Sequence, residues 1–403
     1  MHVLLITQYF KPEIGAVASR WGDYVSILIK KGYQVTVLCE VPNYPQGKYY
    51  DGYKGLYFKK EKINQKLTII RSFAVANNRK STFKKLIHYL TFMISALFNV
   101  NKIHGYDIVI VSSPPLFTGI VGLFLQKFKS IPFWLDIRDI WPDSAIALNQ
   151  IDKNFLYYLG KKIESAIYNS AKGFIFPVPG FEKYLNQYSQ SVRYKPKLEL
   201  VNGISNNFVS LINTINSDQD TRFTVLYSGN MGLAQGLETV LDAAKLLEKY
   251  PIDFRFIGDG ITKEKLQNLA QTDKQKNVFF DNAMNRLELI KSIKKSSICL
   301  VPLKNNSLFH SALPSKMFEY MACGKPIIVG IKGEAQKMVN NIKSGTVVEP
   351  ENSILLSQAI IYYYENRDKC IEHGNNGMIY VTENFKKEEL ISKVMNQIQK
   401  IEN

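Results

Sequence analysis

The chain reads as short unbroken apolar runs separated by longer stretches in which apolar and polar positions recur at helical spacing. Short apolar runs suit strands buried on both faces, as in a parallel sheet, and the amphipathic stretches suit the helices that cover it. Residues 2–7 predict the first such strand. It leads into a loop, Lys11-Pro12-Glu13-Ile14-Gly15, a helix from about Ala16 to Lys31, a stop at Gly32 and the strand YQVTVLC. Strand, glycine-bearing loop, helix and strand form the βαβ unit of a doubly wound sheet. YDIVIVSS, IPFWLDIRD, GFIFPVP and KLELV predict further strands, with a helix at about Asn154 to Ala171. The polar run Ser205 to Thr221 reads as a linker. Beyond it FTVLYS, DFRFI, NVFF, SSICLVPL and KPIIVG renew the pattern, and the tail from Phe385 to Asn403 reads as a helix. The expected class is α/β, with two Rossmann-like domains at residues 1–204 and 205–384 and a C-terminal helix at 385–403.

Composition refines this picture. A chain of 403 residues is too long for one ordinary core and fits two domains. Cys39, Cys299, Cys323 and Cys370 show no CxxC spacing, and the five histidines form no ligand cluster, so a reducing cytoplasm is expected, with neither disulfide framework nor metal. Met1-His2 runs directly into an apolar strand with no signal peptide. The net charge of +16 calls for an anionic partner: nucleic acid, anionic lipid or a phosphorylated substrate. In residues 79–105 the apolar core Leu86 to Val100 is too short to span a bilayer. Flanked by Arg79, Lys80, Lys84, Lys85 and Lys102, it suits either a helix on an anionic membrane surface or an ordinary internal helix. VPNYPQGKYYDGYKG, residues 41–55, fits a sugar or lipid headgroup, or a loop packed on itself.

The densest candidate chemistry is LPSKMFEYMACGKPII, residues 313–328. Pro314-Ser315-Lys316 open a helix whose free N–H groups and positive dipole end suit a phosphate. Ser315 can cap it, Lys316 adds a mobile charge, and Glu319, one turn on, suits a sugar diol as a pure acceptor. The same stretch also reads as an amphipathic helix whose Met317, Phe318, Tyr320 and Met321 face a core. Two glycine turns point the same way: Gly229-Asn230 through Gln235 after one strand, and Gly258-Asp259-Gly260, followed by Lys263, after the next. Gly15 opens the first helix and lets a ligand approach, or merely shapes a turn. The strand IPFWLDI ends in Asp136, Arg138, Asp139 and Asp143, interleaved with Trp134 and Trp141. Asp218-Gln219-Asp220 is a DxD string with no strand before it, and is read as chance.

From ITQYFKPEIGAVASR at residues 6–20, through RDIWPD at 138–143, to LPSKMFEYMACGKPII, the chain resembles glycosyltransferase family 4 with the GT-B fold. Within it the chain is most similar to the WbuB-like branch, whose members transfer sugars in surface-polysaccharide (O-antigen or capsule) assembly. The resemblance implies two Rossmann-like domains with parallel sheets facing across a cleft, and a C-terminal helix crossing back to the first. It implies a nucleotide-sugar donor, expected to be UDP-linked, and a saccharide on a polyprenyl diphosphate as acceptor. Glu319 would hold the ribose hydroxyls, while Pro314, Ser315 and Lys316 would hold the diphosphate. Gly15, Gly229, Asn230, Gln235, Gly258 and Gly260 would line the donor side. Arg20, Arg138 and Asp139 would face the acceptor, Arg138 standing where many relatives have a histidine, and Asp139 serving as base or orienting Arg138. No cofactor or metal is implied, and transfer would be retaining. The expected location is cytoplasmic, peripheral on the inner face of the plasma membrane.

Two departures stand out. Relatives have a Glu-x7-Glu pair, but Ser311 occupies the position eight before Glu319, which fits a deoxy or amino sugar. Relatives also place an Arg and a Lys in the first glycine turn, where this chain has Asn230 and Gln235, leaving Lys316 with more of the charge. The alternatives are a nucleotide-sugar 2-epimerase of the same fold, a non-catalytic membrane partner subunit, and a basic nucleic-acid-binding protein, which no reading motif supports.

Overall fold

The computed structural model describes residues 1–44, 46–77, 82–148, 152–215 and 222–402. The chain divides into two compact units, Met1–Val201 with Leu390–Asn403, and Asn202–Glu389.

The first unit is built on an eight-stranded sheet: β1 (His2–Ile6), β2 (Gln34–Glu40), β3 (Phe58–Lys62), β4 (Leu67–Ser72), β5 (Ile108–Ser113), β6 (Trp134–Ile137), β7 (Gly173–Phe176) and β8 (Lys197–Glu199). The order is β3-β4-β2-β1-β5-β6-β7-β8. All pairs are parallel except β3 with β4, in which Phe58 faces Ser72 and Lys62 faces Thr68. The apolar pattern did not predict this edge hairpin. β3 is FKKEK, and its alternating exposed lysines suit an edge that must not pair further.

Residues of one parity on the central strands (Val3, Leu5, Val35, Val37, Ile108 and Ile110) join a core with Trp21, Tyr24, Val25 and Leu28 of the helix Ala16–Lys30. Ile391, Val394, Met395 and Ile398 of the C-terminal helix Lys387–Glu402 complete that core. The opposite parity faces the helices Thr82–Val100, Leu116–Lys129 and Phe155–Ser170; a side chain on Gly122 would strike Val111 and Phe133. The helix Thr82–Val100 is internal on one side, where His88, Phe92, Ala96 and Asn99 are buried. Arg79 and Lys80, expected to flank it, lie outside the described residues.

The second unit has an all-parallel sheet of β9 (Phe223–Ser228), β10 (Ile252–Ile257), β11 (Val278–Asp281), β12 (Ile298–Pro302), β13 (Ile327–Gly330) and β14 (Gly345–Val347), in the order β11-β10-β9-β12-β13-β14. The expected linker from Ser205 is helical at its start. Ser205 accepts from Phe208 N and caps a helix, Asn206–Asn213, whose Phe208 and Ile212 are buried. Burial of those two side chains outweighs the polar composition that suggested a linker. Residues 216–221, with the DxD string, lie outside the described residues.

In each sheet the strand order reverses once, between β1 and β5 and between β9 and β12. Open α/β sheets bind ligands beyond the C-terminal ends of the strands at such points. Nearly all the residues singled out from sequence follow the strands at or beside these two places.

Candidate active-site residues

In the second unit, β9 ends at Ser228 and turns through Gly229-Asn230 into the short turn Leu233–Gln235 and the helix Glu238–Leu246. β12, its neighbour, leads through a loop to the helix Ser315–Ala322. Tyr320 joins them: its hydroxyl accepts from Ser228 N at 2.7 Å and lies 2.9 Å from Ser228 Oγ. Tyr227 fixes the turn by donating to the Asn230 carbonyl at 2.5 Å. Over the Tyr227 ring sits Lys316, its Nζ 3.7 Å from the ring centroid. Lys316 Nζ is also the first atom a Cβ on Gly229 would meet, at 3.4 Å. The lysine therefore stands against the glycine turn that itself carries no Arg or Lys. Burial pulls its pKa from the ordinary lysine range down to about 7, and Glu319, three residues on, works in the opposite direction.

The N-terminus of this helix differs from expectation. Pro314 occupies the N-cap position and no side chain caps the end, while Ser315 is the first helical residue and exposed. A proline cannot cap through its side chain, so Ser315 begins one position too late to do so. Ser311 lies in the preceding loop, its Oγ 3.5 Å from the Leu308 carbonyl.

The other glycine-turn residues have structural partners. A Cβ on Gly258 would come within 2.1 Å of the Gly229 oxygen, and one on Gly260 within 2.2 Å of the Met231 oxygen. Both have positive φ, 141° and 157°. The two turns are bonded face to face, Gly229 N to Ile257 O and Met231 N to Asp259 O. Close backbone packing thus accounts for these glycines without a ligand. Gln235 folds back to accept from Gly232 N at 3.0 Å. Lys263 donates to the carbonyls of Gly258 and Asp281 and to Asn282, closing the strand ends.

In the first unit the buried carboxylate of Asp136 is the hub. It accepts from Ser112 Oγ at 2.7 Å and Trp21 Nε1 at 3.0 Å, with Arg20 at 3.4 Å and Arg138 at 3.7 Å. Arg20, expected to face the acceptor, is instead buried and also donates to the Leu200 carbonyl at 2.9 Å. Its helix position turns it onto the sheet, where Asp136 compensates its charge. Arg138 donates to Ser112 Oγ at 2.9 Å and to the Pro114 carbonyl, tying the end of β6 to that of β5. Burial lowers its pKa to about 10, against the pull of Asp136. Asp139 is exposed as a residue, yet the protein packed around its carboxyl raises its pKa, while the Ser144 hydroxyl at 3.0 Å and Arg138 oppose the rise.

Gly15 has extended backbone that any residue adopts; what excludes a side chain is the Tyr44 ring, 2.8 Å from a Cβ there. Sequence reasoning missed Glu13 beside it. This buried carboxylate accepts from Asn43 N, Tyr44 N and Phe10 N, pinning the loop after β1 to the loop after β2. Burial first, and then Glu40, raises its pKa well above the usual range. The bonds that join Trp21 to Ser112, and Tyr320 to the Ser228 that follows Tyr227, were not legible, because only the fold brings these partners together. For Ser112 and Tyr227 the sequence signal is a polar or aromatic residue at the end of an apolar run; Trp21 and Tyr320, inside helices, carry no such signal.

Residues 212–378 match the family model of glycosyl transferases group 1. Over 413 aligned residues the chain is 23% identical to WcaI of Escherichia coli K12, a glycosyl transferase named provisionally for colanic acid biosynthesis, covering 99% of this chain and all of that one. Among solved structures, sucrose-phosphate synthase from Thermosynechococcus elongatus superposes with a TM-score of 0.77 at 16% identity, covering 99% of this chain and 98% of that one. Anabaena HepE in complex with UDP-glucose gives 0.70 at 14% identity, covering 99% and 100%. The two-domain α/β chain thus has the GT-B fold of glycosyltransferases, and its second unit carries the glycosyl transferases group 1 match.

Proposed function

We propose that this protein transfers a sugar from a UDP-linked donor to a saccharide carried on a polyprenyl diphosphate, in the assembly of a surface polysaccharide of the O-antigen or capsule type. The observation that carries the reading is the Lys316 constellation: a cation held against a glycine turn at the start of a helix, with Glu319 one turn on. The solved complexes of HepE with UDP and with UDP-glucose support the donor class, and the provisional naming of WcaI supports the pathway type.

In this reading Glu319 accepts from the ribose hydroxyls, and the helix start at Ser315 and Lys316 receives the diphosphate. As the bond between the anomeric carbon and the β-phosphate oxygen breaks, charge grows on that oxygen, and protonated Lys316 stabilises it. The acceptor hydroxyl attacks the anomeric carbon from the face that the diphosphate leaves, its new C–O bond forming as the old one breaks, and gives up its proton to a base, for which we propose Asp139 with its raised pKa. The leaving group is UDP, and the outcome is retention. We assign charge stabilisation to side chains and a helix end, with no metal. Ser311, in place of a carboxylate, favours a deoxy or N-acetylamino sugar. The site of action is proposed to be the inner face of the plasma membrane.

The test is a thermal-shift panel of uridine, guanosine, thymidine and adenosine diphosphates. A ligand that binds only the native state raises the melting temperature by mass action. A shift for UDP alone supports the donor class, and no shift for any nucleotide overturns the transferase reading in favour of a non-catalytic subunit. Conversion of a free UDP-sugar without acceptor would favour the epimerase.

A further inference from the structure

The positive charge is confined to one unit. Met1–Val201 with Leu390–Asn403 contains 29 Lys and Arg against 14 Asp and Glu, a net +15, whereas Asn202–Glu389 contains 22 against 21. Within the first unit, the three helices covering one face of the sheet are almost free of acid. Thr82–Val100 and Leu116–Lys129 contain no Asp or Glu, and Phe155–Ser170 contains only Glu164, which is fully buried against Lys161 and Tyr188. Lys84, Lys127, Lys129 and Lys162, on these helices, are exposed, and Lys153 beside the third is offset by the exposed Asp152.

The same helices expose large apolar side chains. Phe98 is 70% exposed, Phe128 75% and Phe155 78%, and Phe83, Ile94 and Leu156 stand open with them. The helices lie side by side, the first packed on the second and the second on the third. Solvated faces of ordinary helices mix both signs of charge and expose few such residues. Exposed aromatic and aliphatic tips among lysines, with no exposed carboxylate on the helices, are what an anionic bilayer surface selects. A nucleic acid would match the lysines but leave Ile94, Leu156 and Phe98 unmatched. No helix among the described residues is long and apolar enough to cross a membrane, so the contact is with the surface.

We propose that this three-helix face docks the first unit on an anionic lipid bilayer, with Phe98, Phe128 and Phe155 entering the headgroup boundary and the lysines pairing with lipid phosphates. It deepens the reading of a lipid-linked acceptor and rests on it for purpose only, because the docking is measured without nucleotide or acceptor. The experiment is co-sedimentation of the full chain with vesicles of phosphatidylcholine alone, and of phosphatidylcholine and phosphatidylglycerol in equal parts. Binding is expected to the mixed vesicles and not to the neutral ones, and to weaken with salt. A lysine at an anionic surface contributes about fivefold in partitioning, so Lys127→Gln with Lys129→Gln is expected to cost about thirtyfold. Phe98→Ser and Phe128→Ser should each weaken binding, and every variant should keep the wild-type melting temperature and its UDP response. Absence of binding to mixed vesicles, equal binding to both, or variants indistinguishable from wild type would overturn the proposal. So would a Phe128→Ser variant whose sole effect is to split a dimer. Vesicle binding without any nucleotide shift would leave docking in place and remove the transferase reading; the converse would remove docking alone.

Discussion

Lys316 offers the sharpest test of the donor site. With its pKa lowered to about 7 by burial, it is largely neutral at pH 8, only about one-tenth protonated. A diphosphate bound at the helix start supplies the opposite charge that burial denies it, and returns its pKa toward the ordinary lysine range. UDP binding at pH 8 is therefore expected to take up about nine-tenths of a proton from buffer, and affinity should fall about tenfold per pH unit above 7. Isothermal titration calorimetry in buffers of different ionisation enthalpy reads this directly, as the slope of observed enthalpy against buffer enthalpy. Lys316→Met should abolish the slope and weaken binding. The sign for stability follows from the same shift. Between pH 7 and the unfolded lysine value the unfolded chain holds the extra proton, so the lysine's destabilising contribution fades as pH rises. A slope near zero for the wild type, or proton uptake unchanged in Lys316→Met, would refute the reasoning.

Glu319→Ala is expected to remove the UDP thermal shift while leaving the melting temperature of the free protein within a few degrees; a full UDP response would sink the ribose assignment. Gly258→Ala should lower stability by at least about 3 kcal/mol, because its Cβ meets backbone oxygen at 2.1 Å. Gly52→Ala, at a φ of 79° but in open space, should cost only about 1 kcal/mol; chemical denaturation of both distinguishes packing from φ strain. Asp136→Ala should cost about 3–5 kcal/mol, since it strips Arg20 and Arg138 of the carboxylate that compensates them. A loss below about 1 kcal/mol in urea would show the hub to be hydrated.

The sequence by itself determined the architecture. Apolar runs such as VLLI, IVIV and IIVG fit strands buried on both faces, and amphipathic stretches between them require helices that cover the sheet, so two α/β domains followed from local pattern alone. The cluster Pro314, Ser315, Lys316 and Glu319 was legible because one helical turn holds all of it. Where pattern and packing disagreed, packing prevailed: β3 is too charged to announce itself, and Asn206–Asn213 folds as a helix because Phe208 and Ile212 find burial. Only the tertiary structure decided what Arg20, Gly15, Gly258 and Lys316 do. Each depends on a partner distant in sequence: Asp136 for Arg20, Tyr44 for Gly15, the Gly229 carbonyl for Gly258 and Tyr227 for Lys316. Those partners meet because the sheet order sets strand ends that are separate in sequence side by side: β1 has β2 and β5 on either side and β6 next, and β9 lies between β10 and β12. Charge, burial and hydrogen bonding act through space, so the chemistry of these side chains is fixed by neighbours that no local stretch of sequence contains.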